Sequence, residues 1–309
     1  MADSEPGWEL YRSFLSVLEE GSLSAAARSL GVTQPTVGRH VQALERAVGF
    51  GLFTRSQRGF LPTDAALALR PYAESLAATT AALLRAASGH GGAGQAVRGA
   101  VRVTASEVIG AEVLPPILAR LRQSHPALVI ELVLSNRLED LLQRQADIAV
   151  RMVRPTQEAL VAQRIGDIEL GMHAHRSYLD RCGTPQSMEA LRNHSLIGFD
   201  RESAFIRRVA RGAGALHRSS FALRTDSDLA QLAAIRAGYG VGVCQVALAR
   251  RDRNLVRILP RAFSMKLDTW LVMHEDLRLS PRCSVTFGAL SNGLKRYAAG
   301  SADFDKLAS

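Results

Sequence analysis

Apolar positions along the opening stretch recur with helical period. Leu10, Phe14, Val17 and Leu18 predict an amphipathic first helix. Ser22 is placed to cap a second, in which Leu23, Ala26, Ala27 and Leu30 form one stripe whose alanines allow close approach. Gly31 suits the position just past that helix, where a positive φ is often required. Thr33 then reads as the N-cap of a third helix, with Val32 expected to staple onto Val37. Pro35 falls in its first turn, where a missing N–H costs nothing. Val37, Val41, Leu44 and Val48 make its apolar face, while Gln34, Thr36, Arg39 and Gln42 lie on the other. One helix braces and the next presents polar N-terminal turns outward, the geometry of a helix-turn-helix entering a DNA major groove. "FTRSQRGFLPT" at 53–63 predicts a short hairpin, or wing, turning at Arg58-Gly59.

From 63 to about 88 the chain is rich in Ala and Leu, with Thr63 as N-cap and Leu69, Leu76 and Leu83 repeating at seven residues. That spacing predicts a helix paired along one seam, kinked at Pro71. "SGHGGAGQ" follows as a flexible linker. Beyond Arg98 the pattern changes to strands alternating with helices: strands at 100–105, 127–134, 147–152, 168–174, 195–199, 221–225, 239–244, 255–260 and 268–274, helices at 113–125, 138–145 and 228–237. Ser280-Pro281 opens a last helix as N-cap and N1. Such alternation implies a mostly parallel α/β sheet, here in two subdomains.

Charge sharpens this picture. The formal charge of +9 comes from 38 basic residues, of which only Lys266, Lys295 and Lys306 are lysine. Residues 1–97 balance eight Arg against eight acids, yet 22–62 carry Arg28, Arg39, Arg46, Arg55 and Arg58 against Glu45 alone. A second basic cluster, six Arg within 201–224, hints at an anionic ligand. Cys182, Cys244 and Cys283 are widely spaced, so neither a disulfide framework nor a zinc site is expected; they read as buried, inert thiols, with a peroxide-sensing thiol as the alternative. "MADSEPGWEL" has no apolar core of a signal peptide, and no apolar run approaches the ~18 residues that span a bilayer. A soluble, cytoplasmic protein with no membrane partner is the expectation.

Taken together, Ala25-Ala26-Ala27, Leu30, "TQP" at 33–35, Leu44-Glu45, Gly49, Leu52-Phe53, Arg55 and the Leu61–Thr63 lead into the long helix resemble the LysR-type transcriptional regulators. The second half continues the resemblance with "RVTAS", "LPPILARLRQSHP", "DIAVR" and "AAIRAGYGVGV" in order. Two positions depart from the family pattern: Gly38, where Ser is common in the recognition helix, and Ala66, where the "TEAG" motif has glycine. The resemblance implies a winged helix-turn-helix, a linker helix that dimerises, and a two-subdomain α/β effector domain like periplasmic binding proteins. It also implies a small molecule in the cleft, a homodimer or homotetramer on double-stranded promoter DNA, and RNA polymerase as a further partner. The boundaries that follow are 8–65 for the DNA-binding domain, 66–97 for linker helix and hinge, and 98–300 for the effector domain. Within the last, 98–165 with 266–300 form one subdomain and 166–265 the other.

Candidate site residues divide accordingly. For DNA, Gln34, Thr36 and Arg39, with Thr33 and Pro35 beside them, are placed at base edges, and Arg28, Arg55 and Arg58 at phosphates. For the effector, strand-to-helix junctions offer free N–H groups, which selects Ser106, Ser135, Asn136, Thr225, Asp226 and Ser227. Each of these also serves as an ordinary helix cap. "GYGVG" at 238–242 leaves a helix and enters a strand, the reverse of a dinucleotide loop, so it reads as a helix stop. No nucleophile elbow, zinc-hydrolase or Walker motif occurs, and His173 and His175 share a strand face without further ligands, so neither an enzyme nor a cofactor is expected. A free-standing solute-binding protein is the main rival reading.

Overall fold

The computed structural model describes residues 5–56, 59–88, 97–136, 146–155, 160–201, 217–301 and 304. They divide into a first unit ending at Leu84 and a second beginning at Arg85.

In the first unit, α1 (Trp8–Glu20), α2 (Leu23–Leu30) and α3 (Gln34–Val48) precede a hairpin of β1 (Phe53–Ser56) and β2 (Gly59–Pro62). The long α4 (Asp64–Ser88) begins here. Phe14, Val17, Ala26, Ala27, Val37, Val41 and Leu44 are buried, as their spacing requires. The caps are made: Ser22 Oγ accepts from Ala25 N at 3.2 Å, and Thr63 Oγ1 from Ala66 N at 3.2 Å. Gly31 takes φ +68° and ends α2, a conformation that L side chains resist. Val32 N donates to Ala27 O at 3.0 Å in the turn that closes α2, and its side chain stays 42% exposed. Helix α4 runs through Pro71 as one element. Leu69 packs on the core of the first unit, but Leu76 and Leu83 remain exposed.

The second unit is built on a sheet in the order β10-β6-β11-β5-β3-β4, with β9 also paired to β6. Its strands are β3 (Gly99–Ala105), β4 (Leu128–Leu134), β5 (Ile148–Arg151), β6 (Leu160–His175), β9 (Gly242–Gln245), β10 (Leu255–Ile258) and β11 (Met265–His274). A separate pair, β7 (Leu196–Gly198) and β8 (Phe221–Arg224), is parallel. The helices are α5 (Leu114–Ser124), α6 (Arg176–Cys182), α7 (Asp228–Arg236), α8 (Val246–Ala249) and α9 (Pro281–Ala298).

The expected parallel pairing is found around β3, with β4 on one side and β5 on the other. The sheet as a whole is mixed, because β6 pairs antiparallel with β9, β10 and β11, and β11 pairs antiparallel with β5. Strand β6 starts at Leu160, eight residues before the strand read from sequence. Its first half exposes Ala162 and Arg164 and carries Gln163 and Asp167, so no apolar run announces it. The register of β6 and β11 shifts between Thr269 and Trp270, opposite Gly166.

Two apolar cores lie along these long strands. Ile165, Ile168 and Leu170 join the core of β3, β5, α5 and α9, whereas Met172 and Ala174 join that of α6 and β10. A third cluster packs Leu232 and Ile235 of α7 against Cys244 and Leu248.

Several smaller differences have local causes. The helix at 113–125 is preceded by a π-helical turn, Ile109–Val113. Ser280 sits at the N-cap of α9 without a side-chain cap bond. Strand β9 begins at Gly242, because Tyr239 N donates to Ala234 O at 3.1 Å and Gly238 N to Ile235 O at 3.0 Å, completing the helix stop. At Gly240 a Cβ would lie 2.0 Å from Ser195 O, so only glycine lets the strands approach there. Cys244 and Cys283 are buried, but Cys182, the last residue of α6, is exposed, against expectation. The helix expected at 138–145 and the linker at 89–95 lie outside the described residues.

Candidate nucleic-acid interface and effector residues

The N-terminal turns of α3 carry a connected polar strip. Thr33 caps the helix, its Oγ1 accepting from Thr36 N at 3.4 Å and meeting Thr36 Oγ1 at 2.8 Å. Arg39 Nη2 donates to the same Thr36 hydroxyl at 3.4 Å. Gln34 and Pro35 form the first turn, both exposed, and Ser24 Oγ donates to Gln34 Oε1 at 3.0 Å. Arg28 is exposed on α2. Arg55 lies on β1, and Arg58 is outside the described residues.

Two ties behind this strip escaped the sequence. Ser13 Oγ and His40 Nδ1 meet at 2.8 Å, fixing α3 against α1. Glu45, the one acid of the basic stretch, accepts from Leu52 N at 2.7 Å and Phe53 N at 3.3 Å. It therefore tethers the start of the hairpin to α3. A carboxylate spaced seven and eight residues from its partners leaves no periodic signal, although its isolation among arginines was visible.

In the second unit, four of the six expected effector residues lie around a further carboxylate, that of Glu107. Glu107 follows Ser106 at the end of β3, and its Oε2 accepts from Ser227 Oγ at 2.8 Å and Leu229 N at 3.3 Å. Glu107 thus occupies the N-terminus of α7, the place expected for an anion. Its own N–H donates to Asn136 Oδ1 at 3.2 Å, and Asn136 Nδ2 donates to Asp228 Oδ2 at 3.1 Å. Ser135 N donates to Ala105 O at 2.9 Å, which holds the end of β4 beside the Ser106 loop. Ser227 is the N-cap of α7. The Asp228 carboxyl is pushed up to about 6, first by burial and then by the neighbouring Glu107 charge, with the Asn136 N–H pulling the other way.

Thr225 and Asp226 make a different set of bonds. Thr225 Oγ1 accepts from Ser227 N at 3.2 Å. Asp226 Oδ1 accepts from Asp200 N at 3.1 Å and Arg201 N at 2.9 Å. Of the basic cluster, Arg201 pairs with Asp226 at 3.5 Å and Arg218 with Asp200 at 2.5 Å, while Arg207, Arg208 and Arg211 lie outside the described residues. A further pair joins the turn after β3 to α7: Arg236 donates twice to Glu112, at 2.7 and 2.9 Å, and holds that carboxyl below its ordinary range. Within the unit, Arg85 near the end of α4 meets the buried Asp147 at 3.1 Å, and Asp147 also accepts from Arg102 N at 2.8 Å.

His173 is buried and held down at about 4, while His175 caps α6, so the two histidines do not act together. Among the described residues no group of three or more His, Cys, Asp or Glu is gathered to hold a metal ion, and no helix is long and apolar enough to cross a membrane.

Comparison with known proteins agrees with this geometry. Residues 8–67 match the model of the bacterial regulatory helix-turn-helix protein, lysR family, and residues 94–294 match the LysR substrate binding domain. The chain belongs to the LysR family of transcriptional regulators, with a DNA-binding helix-turn-helix and an effector-binding domain.

Among its relatives is an HTH-type transcriptional regulator of Xanthomonas campestris pv. campestris (strain 8004), 32% identical over 184 residues. That match covers 60% of this chain and about half, 53%, of the relative. The probable HTH-type transcriptional regulator LtrA of Klebsiella pneumoniae is 26% identical over 299 residues, covering 94% of this chain and 96% of LtrA. Full-length CbnR, solved in complex with its target DNA, shares the fold at a TM-score of 0.62 and 23% identity, covering 93% of this chain and 99% of CbnR.

Proposed function

We propose that this regulator reads promoter DNA through Gln34, Thr36 and Arg39, with Thr33 and Pro35 shaping the helix start, and grips phosphates through Arg28, Arg55 and Arg58. The observation that carries this is the strip at the start of α3, where Thr36 braces Arg39 and Ser24 braces Gln34 on an exposed face. Arginine matches guanine O6 and N7, and glutamine matches adenine N6 and N7. Two copies pair along α4, whose Leu76 and Leu83 a single chain leaves uncovered, giving a homodimer or homotetramer. The working boundaries are 8–65, 66–97 and 98–300, with the subdomains meeting near 165 and 266.

The effector site comprises Ser106, Ser135, Asn136, Thr225, Asp226 and Ser227. A ligand reaching the start of α7 competes with Glu107, which favours an effector bearing a carboxylate or phosphate. The protein acts in the cytoplasm, without catalysis, and in concert with RNA polymerase.

Electrophoretic retardation of fragments from upstream of its own coding region tests the DNA reading. Specific retention that weakens steeply with salt supports it; no retention of any promoter fragment at low salt returns the second unit to a solute-binding role. A thermal-shift screen tests the effector: stabilisation by cationic or neutral compounds alone refutes the anionic class.

A further inference from the structure

The hydrogen bond between α2 and α3 bears on sequence preference. Gln34 is the first residue of α3 and precedes Pro35, so its backbone is restricted by the proline ring that follows. Its side chain is long, exposed and, left alone, free to rotate and to turn its amide over. Ser24, in the first turn of α2, restrains that freedom, because its Oγ donates to Gln34 Oε1 at 3.0 Å. An amide oxygen has two lone pairs. One receives the serine hydroxyl, and the other stays available beside both amide hydrogens. That remaining pattern, one acceptor next to one donor, complements the N6–H and N7 edge of adenine. An unbraced glutamine presents either its oxygen or its nitrogen and reads the same edge less selectively.

We infer that Ser24 is a positioning residue for base readout: it orients the Gln34 amide and so sets the regulator's preference at one base pair without touching that base. The inference rests on Gln34 contacting a base edge, as proposed above. Ser24 is suited to a clean test. It is exposed within a helix, where alanine is the better helix former, so Ser24→Ala keeps the fold.

The experiment measures dissociation constants of the full chain on its operator and on operators with each base pair changed in turn. The proteins are wild type, S24A, S24T, Q34A and the S24A/Q34A double variant. Q34A locates the pair that Gln34 reads, as the position where discrimination flattens. Ordering one rotamer-rich side chain is worth about 3- to 10-fold in binding. S24A is therefore expected to lose about 3- to 10-fold of discrimination at that pair and none elsewhere. S24T restores it, and S24A adds nothing in the Q34A background. Uniform weakening on all operators, which marks a phosphate contact, overturns the inference, as does an S24A profile equal to wild type while Q34A flattens one position. If Q34A itself leaves every position unchanged, the base-contact reading of Gln34 falls and Ser24 falls with it.

Discussion

Asp228 provides a test of the carboxylate pair at the start of α7. Its side chain stands beside Glu107, accepts one bond from Asn136 and is half-buried. Burial and the Glu107 charge move its carboxyl from an ordinary 3.8 to about 6. The sign follows directly. Below about pH 4 both folded and unfolded chains hold the proton, so the group's contribution is fully present. As pH rises toward 6, the unfolded chain releases a proton that the folded one keeps, and stability falls. Above 6 both are ionised and the whole contribution is lost. At 1.36 kcal/mol per pH unit the ceiling is about 3 kcal/mol; solvent at the partly open side chain cuts this to about 1–2 kcal/mol. Asp228→Asn never ionises, and its amide oxygen still accepts from Asn136. It forfeits about 0.3–1 kcal/mol of carboxylate stabilisation at the first turn of the helix. The net expectation is a variant more stable than wild type at pH 8 by about 1 kcal/mol. For a unit of this size that is roughly 2–4 °C in melting temperature. Thermal melts of both proteins from pH 4 to pH 8 check this, because titrating groups that do not touch Asp228 cancel in the difference. The gain should shrink to about half at pH 5 and be largely gone by pH 4. An Asn variant offset from wild type by the same amount at pH 4 and pH 8, or less stable at pH 8, refutes the raised carboxyl and its cause.

Other outcomes follow from single side chains. Arg85→Ala leaves Asp147 buried against one backbone N–H, at a cost of about 3–5 kcal/mol; calorimetry should show a drop of at least about 6 °C, and a negligible change would mean that the pair carries no charge compensation. Gly38→Ala places a Cβ 3.8 Å from Leu23 Cδ1, an ordinary contact. It should therefore stabilise α3 by about 1 kcal/mol in denaturant melts, and a loss of stability would show that the position needs glycine for another reason. Alkylation of the native protein should modify Cys182 first, since Cys244 is buried with its thiol pushed up to about 12; mass spectrometry finding Cys244 labelled as fast would contradict that burial. Arg58→Ala should weaken binding to all sequences alike and reduce the salt slope, and a selective loss at one base pair would assign it to a base instead.

The first unit was legible because its instructions are local. Ser22, Gly31, Thr33 and Thr63 each act within three residues of their own position, and their caps and turns stand as the sequence placed them. Val32 is at once the residue past α2 and the residue before α3, and the turn that closes α2 fixes its backbone first. In the second unit the parallel strands beside β3 were legible from apolar runs. The first half of β6 was not, because it is built from Gln163, Arg164 and Asp167 on a strand whose side chains reach water.

Glu107 carries no signal in the sequence. Its partners Ser227 and Leu229 are 120 and 122 residues away, and no periodicity relates them. The junction residues stand out in the sequence because a helix N-terminus must satisfy its free N–H groups, by a side chain or by a ligand. The sequence could name the demand but not what met it. Here a carboxylate of the same chain meets part of it, and that has a consequence for regulation. A ligand that takes the start of α7 must displace Glu107, so its net affinity is the difference between two anions at one helix end. Removing the internal one, as in Glu107→Gln, should tighten binding of an anionic effector while costing stability in its absence. The two effects have opposite sign only if Glu107 and the effector share that helix end.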